Sequence, residues 1–220
     1  METISWDGAT RAEGLDATIA ARREELAARA KAGDWDAVLA LLEERPFWAN
    51  ATRPGGPSLY APLHQAAHGG APVEVVDRLV ALGAWRTLRT ARGEQPVDIA
   101  RRRAHEHLVA ALTPTLQRTV PADALSAIQG HFHGCIRGRA NEHVERSKLR
   151  LPELEPLLEL PEPQMWFPVP GMYGGFSYRL ERLAERDVLV ATSWCRVVGG
   201  SGECHVISPH GALLVERGFV

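Results

Sequence analysis

The sequence predicts an α+β protein in two parts: a short stack of helical repeats over residues 16–114, then a small α+β domain over residues 122–220. In the first part, helical segments recur at offsets of 37 and 34 residues, from Leu26 to Leu63 and on to Val97. In the second part, apolar and polar residues alternate from Phe176 to Glu181, as in a half-buried strand. We expect an antiparallel sheet of about three or four strands there.

The segment from Pro62 to Ala84 is the clearest repeat. It contains a helix, a glycine turn and a valine-rich second helix, whose shared apolar face needs stacked neighbours to be buried. It resembles the ankyrin repeat. The matching positions are Pro62, Leu63, His64, Ala66, Ala67, Gly70, Val75, Val76, Gly83 and Ala84.

Two less regular units flank this repeat, so the ankyrin resemblance covers residues 26–112. The matching positions of the first unit are Leu26, Ala30, Gly33, Val38, Leu41 and Leu42. Those of the third are Gly93, Gln95, Pro96, Val97, Asp98, Ala100, Leu108, Val109 and Leu112, with Ala104 in place of the turn glycine. The first helix is expected to begin near residue 16 as a polar-faced cap, after a loose arm over residues 1–15.

The linker between the first two units, residues 51–61, is long and irregular because it contains Pro54, Gly55, Gly56 and Pro57. It ends at Ala61, where the ankyrin pattern usually has a threonine that caps the next helix. Without that hydroxyl, we expect local fraying at the start of the helix.

The ankyrin resemblance implies a protein partner, bound by loop tips and by the exposed face of the first helix of each unit. The implied partner-binding residues are Leu59, Tyr60, Gln65, His68, Trp85 and Arg86. Trp85 is expected either to be an exposed anchor, since tryptophan is common at binding hot spots, or to be buried by the C-terminal domain.

The second part begins with an amphipathic helix over 122–140 and a short second helix over 151–160. Prolines between 161 and 170 predict an extended connection. Strands are expected over 176–181, 188–198, 203–208 and 213–216. A turn centred on Gly200 and Ser201 would place Arg196 opposite His205 and Trp194 opposite Ile207.

GMYGGFSYRL and SWCRVVGGSG resemble an uncharacterised C-terminal region found beside ankyrin units in bacterial proteins. That resemblance covers roughly the last 60 residues and implies no activity. The residue types that form ligand sites are nevertheless concentrated there. The candidate ligand-binding residues are Trp166, Tyr173, Trp194, Arg196 and His205.

Three other motifs receive a structural interpretation. His131, His133 and Cys135 would share one face only on a strand, where Cys204 or His205 would be needed as a fourth metal ligand; on a helix they diverge. The glycines from Gly199 to Gly202 lead into a strand rather than a helix, which favours a turn over a phosphate loop. A loop needing positive φ is likewise favoured over a cofactor clamp for Gly171 to Gly175. No catalytic residue, cofactor or metal ligand is assigned.

Composition and charge narrow the class of protein. A net charge of −2 gives little electrostatic attraction to nucleic acid or anionic membranes, so neither is expected as a partner. The three cysteines form no short-spaced metal pattern and cannot all pair with each other, which favours a reducing compartment. With neither the apolar core of a signal peptide nor an apolar run of membrane-spanning length, a cytoplasmic protein is expected.

Two hypotheses for function follow. In the first, the repeats bind a protein partner and the C-terminal domain caps and extends the stack. In the second, the C-terminal domain binds a small molecule or is an enzyme, and the stack positions it. The sequence favours the first and leaves the oligomeric state open.

Overall fold

The computed structural model describes residues 4–196 and 201–218 of the chain. Its fold is α+β, as predicted, with helices and one antiparallel sheet. The chain divides into two compact units. One is Ala9–Thr115, and the other combines Met1–Gly8 with Leu116–Val220.

The unit Ala9–Thr115 is built from three consecutive helix pairs. They are α1 (Ala17–Ala32) with α2 (Trp35–Glu44), α3 (Pro62–Gly69) with α4 (Val73–Ala81), and α5 (Pro96–Arg102) with α6 (Val109–Leu112). The first helices pack side by side in the order α1, α3, α5, and the second helices in the order α2, α4, α6. The pairs therefore stack in two helical layers.

A single apolar core runs between the two layers. The residues that the sequence places at the centre of each pair are buried there: Leu26, Ala30, Val38 and Leu42; Leu63, Ala66, Ala67 and Val76; Val97, Ala100, Leu108 and Leu112. The turn position between the helices of each pair has left-handed backbone geometry, with φ of 76° at Gly33, 68° at Gly70 and 57° at Ala104. Ala104 thus adopts the turn conformation despite its Cβ.

The second and third pairs begin with the same hydrogen bond. The backbone N–H of Ala61 donates to Nδ1 of His64 at 3.1 Å, and that of Gln95 donates to a carboxylate oxygen of Asp98 at 3.0 Å. In each case the side chain of the third helical residue accepts a hydrogen bond from the backbone N–H of the residue that precedes the helix. The imidazole of His64 therefore anchors the residue before the helix, although it accepts a different N–H from the one that a threonine hydroxyl at position 61 would accept.

The second unit contains α7 (Ala122–Ser147), which buries Leu125, Ile128, Phe132, Ile136, Ala140 and Val144 along one face. It extends beyond the predicted end at residue 140, where Ala140 has non-helical φ and ψ of −139° and 18° and kinks the helix. In the part of the chain that the structure describes, no helix combines the length and apolar character of a membrane span.

The short helix expected over 151–160 is instead a single 3₁₀ turn at Glu155–Leu158, because Pro156 lacks an N–H for a longer helix.

The sheet of this unit is an antiparallel meander of five neighbouring strands, one more than the largest number expected. They are β1 (Gln164–Val169), β2 (Gly174–Leu183), β3 (Arg186–Cys195), β4 (Ser201–Ser208) and β5 (Gly211–Gly218). The additional strand is β1. Its flanking prolines and internal Pro168 led to the expectation of an extended connection, but a proline is tolerated where a strand lies at the edge of a sheet.

Ile4 and Trp6 are held by hydrogen bonds, where a loose arm was expected over residues 1–15. Trp166 of β1 donates its N–H to the carbonyl oxygen of Ile4 and accepts a hydrogen bond from the N–H of Trp6, both at 2.8 Å. The side chain of Trp6 is buried, and its Nε1 donates to the carbonyl oxygen of Arg150 at 3.0 Å. Ile4, Ser5 and Trp6 thus pair with the edge strand of the C-terminal sheet.

Candidate functional site

A cleft of about 630 Å³ lies in the Ala9–Thr115 unit, between the long linker and the first helices of the first two pairs. One wall is the linker segment from Arg53 to Tyr60, and the rest comes from α1 and α3. Four of the six predicted partner-binding residues line it: Leu59, Tyr60, Gln65 and His68. These four residues lie within ten positions of one another, at the end of the linker and on α3, and the structure places them against residues of α1.

Buried and surface contacts hold the linker in place. Arg23 of α1 is 2% exposed, and its Nη2 donates to the carbonyl oxygen of Thr52 at 2.8 Å. At the rim of the cleft, Nε of Arg53 donates to a carboxylate oxygen of Glu24 at 3.0 Å. The irregular proline and glycine segment is thus fixed to α1, which gives the cleft a preformed wall.

Three rings form a row along α3 at the cleft. The ring of Tyr60 lies 5.6 Å from that of His64 and 6.0 Å from that of His68, the latter edge to face. His64 is fully buried, whereas Tyr60 and His68 are half-buried. Tyr60 therefore presents part of an aromatic surface whose position is set by the histidines behind it.

The charges near His68 are mainly positive. Burial lowers the pKa of His68, and the neighbouring charges of Arg103 and Arg102 lower it further. Arg102 is paired with Glu94, whose carboxylate oxygen lies 2.8 Å from Nε. The hydrogen bond that Arg102 donates to Glu94, and more weakly one with Tyr60, raises the pKa of Arg102. His68, which lines this end of the cleft, thus lies near the charges of two arginines.

Trp85 and Arg86 do not line the cleft. Trp85 is 7% exposed, and its backbone N–H donates to the side-chain oxygen of Asn50 at 2.9 Å. Nε of Arg86 donates to the carbonyl oxygen of Ala111 at 2.7 Å. The expectation of an exposed tryptophan anchor is wrong, because the indole at this position is part of the buried interior.

Sequence reasoning missed the contribution of α1 to the cleft. Glu24, Ala27 and Lys31 line it from one face of that helix. Their spacing of three and four residues is that of neighbours on a helical face. That pattern was available in the sequence, but α1 was interpreted only as a polar cap.

The predicted ligand-binding residues of the second unit form a smaller cluster. The rings of Trp166 and Trp194 stack at 5.7 Å with an interplanar angle of 29°, and the guanidinium of Arg196 lies 5.2 Å from the ring centre of Trp194. The backbone N–H of Arg196 donates to the carbonyl oxygen of Tyr173, whose side chain is 75% exposed. Three of the five side chains are thus in contact, and Tyr173 is joined to them through its backbone.

His205 is separate from this cluster, and the predicted hairpin register is wrong. His205 pairs with Ala191, not Arg196, and Trp194 pairs with Gly202, not Ile207. The reason is a longer connection: β3 ends at Cys195 and β4 begins at Ser201, so no two-residue turn joins them. Because side chains alternate along a strand, His205 and Trp194 lie on opposite faces of the sheet.

The metal and phosphate alternatives gain no support from the geometry. His131, His133 and Cys135 lie on helix α7, and His133 donates from Nε2 to the carbonyl oxygen of Pro152 at 2.8 Å. Over residues 4–196 and 201–218, no group of three or more His, Cys, Asp or Glu side chains is placed to hold a metal ion. Gly199 and Gly200 lie outside the described residues, whereas Gly171 has the positive φ expected of its loop, 85°.

The cleft is suited to non-covalent recognition. It offers an aromatic surface at Tyr60, an amide at Gln65 and cationic side chains at Lys31 and Arg53, which bind by packing, hydrogen bonding and charge. No protein-family model matches the chain, and none of the curated proteins matches it.

Proposed function

We propose that the Ala9–Thr115 unit is an ankyrin-type stack that binds a short segment of a partner protein in the cleft beside Tyr60. The observation that carries this proposal is the convergence of Leu59, Tyr60, Gln65 and His68 on one cleft. The resemblance to ankyrin repeats implies the same four residues as partner-binding positions.

The size and lining of the cleft support this function. Its volume of about 630 Å³ is in the range of sites that enclose a few side chains or a small molecule. Tyr60 and Gln65 combine an apolar surface with hydrogen-bonding groups, which is the composition of recognition sites on proteins. The ion pair between Arg53 and Glu24 holds one wall in place without a ligand, so little ordering is needed on binding.

The second hypothesis, a ligand site in the C-terminal unit, has weaker support. His205 lies on the sheet face opposite Trp194, and the guanidinium of Arg196 already covers a face of that indole. The aromatic pair at Trp166 and Trp194 is therefore occupied by contacts of the chain itself. This arrangement favours the cleft as the functional site.

The test is a selection of displayed random peptides on the full-length chain. Peptides that bind the cleft are expected to lose roughly tenfold or more in affinity on Tyr60→Ala, as for an aromatic hot spot. Phe47→Ala is the matched control, because Phe47 is an aromatic residue of the same unit, 63% exposed and outside the cleft. A selection that yields no peptide sensitive to Tyr60→Ala would contradict the proposal. Trp85→Ala is unsuitable here, since removing a buried indole destabilises the fold.

A further inference from the structure

The charge around the cleft differs in sign from that of the chain. The chain as a whole carries a net charge of −2. Around the cleft, Lys31 and Arg53 are lining residues, and Arg102 and Arg103 act on His68. The carboxylates that accompany these four cations are Glu24 and Glu94. The region is therefore locally basic on an acidic protein.

Both of these carboxylates are already paired. Glu24 forms an ion pair with Arg53, and Glu94 forms one with Arg102. Lys31 and Arg103 are exposed and have no ion pair among the described residues. Two cations thus remain for a ligand to neutralise.

These two cations flank the middle helix of the stack. Lys31 lies on α1 and Arg103 directly follows α5, while α3 packs between those helices and carries Gln65 and His68. Charges on different helix pairs match a ligand whose negative charges are spaced along a chain. A single phosphate group would require donors converging on one point.

We propose that the segment bound in the cleft is an acidic peptide, with carboxylates beside Lys31 and Arg103 and an apolar side chain against Tyr60. This inference rests on the proposed function and adds the chemistry of the ligand. Exposed charges of this kind contribute mainly through long-range attraction, so binding should weaken as salt is added.

The experiment uses peptides selected from a random library on the full-length chain and resynthesised with a fluorophore. Enrichment of Asp and Glu is expected, as is roughly tenfold weaker binding to the Lys31→Glu, Arg103→Glu double variant, with a shallower salt dependence. The matched control is Arg22→Glu with Arg78→Glu, which makes the same change of charge on exposed residues outside the cleft. That control should retain wild-type affinity.

The outcomes separate this inference from the proposed function. Peptides that depend on Tyr60 but are neutral or basic would overturn the acidic ligand and leave peptide binding in place. Equal weakening by both double variants would also overturn it, because the effect would then be one of net charge. Displacement of the peptide by single-stranded oligothymidylate at equal concentration would overturn it in favour of a nucleic-acid ligand. If no selected peptide depends on Tyr60, both proposals fail.

Discussion

The imidazole of His64 is hydrogen-bonded to the carbonyl oxygen of Leu88, with Nε2 and the oxygen 2.9 Å apart. His64 belongs to the second helix pair, and Leu88 precedes the third. Because the N–H of Ala61 donates to Nδ1, the proton of the neutral ring is on Nε2, which donates to Leu88. One buried ring thus starts its own helix and ties that helix to the loop leading to the next pair.

We expect His64→Ala to lower the free energy of unfolding by about 3 kcal/mol, because it leaves a buried N–H and a buried carbonyl without this partner and opens a cavity. The measurement is chemical denaturation of the full chain. His107→Ala is the control. Its ring is exposed and makes one hydrogen bond to the carbonyl oxygen of Ala71, at 3.2 Å, so a loss below about 1 kcal/mol is expected. Equal losses for the two variants would contradict the role given to His64.

The turn glycines offer a matched pair of substitutions. Gly33 and Gly70 have similar positive φ, 76° and 68°, but different surroundings. A Cβ at Gly70 would lie 2.8 Å from Nε2 of His105, whereas at Gly33 the nearest atom is 3.8 Å away, on Trp35. We expect Gly33→Ala to cost about 1 kcal/mol, from backbone strain alone.

Gly70→Ala should cost about 2 to 3 kcal/mol, since the ring of His105 must also move and lose its hydrogen bond to the carbonyl oxygen of Ala67. Thermal or denaturant unfolding of both variants measures the difference. Equal losses of unfolding free energy for Gly33→Ala and Gly70→Ala would contradict this, because the ring of His105 would then move without a cost in stability. The native alanine at position 104, with φ of 57°, indicates that backbone strain alone is tolerated.

Local sequence signals predicted the helix pairs well because each pair repeats the same pattern of apolar residues and turn positions. Leu26, Leu63 and Val97 occupy the same place in successive pairs and are all buried. The cleft was partly predictable for the same reason, since the repeat pattern shows which residues face outward. The contribution of Lys31 was missed because the spacing of Glu24, Ala27 and Lys31 shows a shared helical face but does not show that the linker folds back onto that face.

The sheet was harder to predict because its register depends on contacts between distant residues. The alternation that indicates β3 and β4 fixes the two faces of each strand but not the length of the connection. A connection longer than two residues places His205 on the face opposite Trp194, which removes it from the expected site. Similarly, the burial of Trp85 depends on its surroundings in the folded chain, which its position after Gly83 and Ala84 does not reveal.

The observed register can be tested with a disulfide. Thr192 pairs directly with Cys204, and Oγ1 of Thr192 lies 3.7 Å from Sγ of Cys204. Thr192→Cys, in a background with Cys135 and Cys195 changed to serine, is expected to form a disulfide on mild oxidation, seen as loss of both free thiols. Val190→Cys is the control, because it pairs with Val206 and lies two residues from the matching position. Faster cross-linking of the control would contradict the register.

The last prediction concerns stability in acid and His133, a half-buried residue of α7. Burial lowers the pKa of His133 from the ordinary value of 6.5, although its hydrogen bond to the carbonyl oxygen of Pro152 acts in the opposite direction. In the unfolded chain the imidazole takes up a proton near pH 6.5, whereas in the folded chain it stays neutral to a lower pH. Below pH 6.5 the unfolded state therefore binds more protons than the folded state. As the pH is lowered, this residue reduces the free energy of unfolding by at most about 1.4 kcal/mol per pH unit.

His133→Gln should flatten this decline, because the amide can still donate to Pro152 but does not titrate. Denaturation curves collected above and below pH 6.5 measure the change in slope. His68 has a pKa lowered in the same direction, so His68→Gln serves as a comparison that also flattens part of the curve. The contrary result is that His133→Gln leaves the slope of the unfolding free energy against pH unchanged below pH 6.5. That result would mean that the imidazole is protonated equally in the folded and unfolded states, so that burial does not keep it neutral.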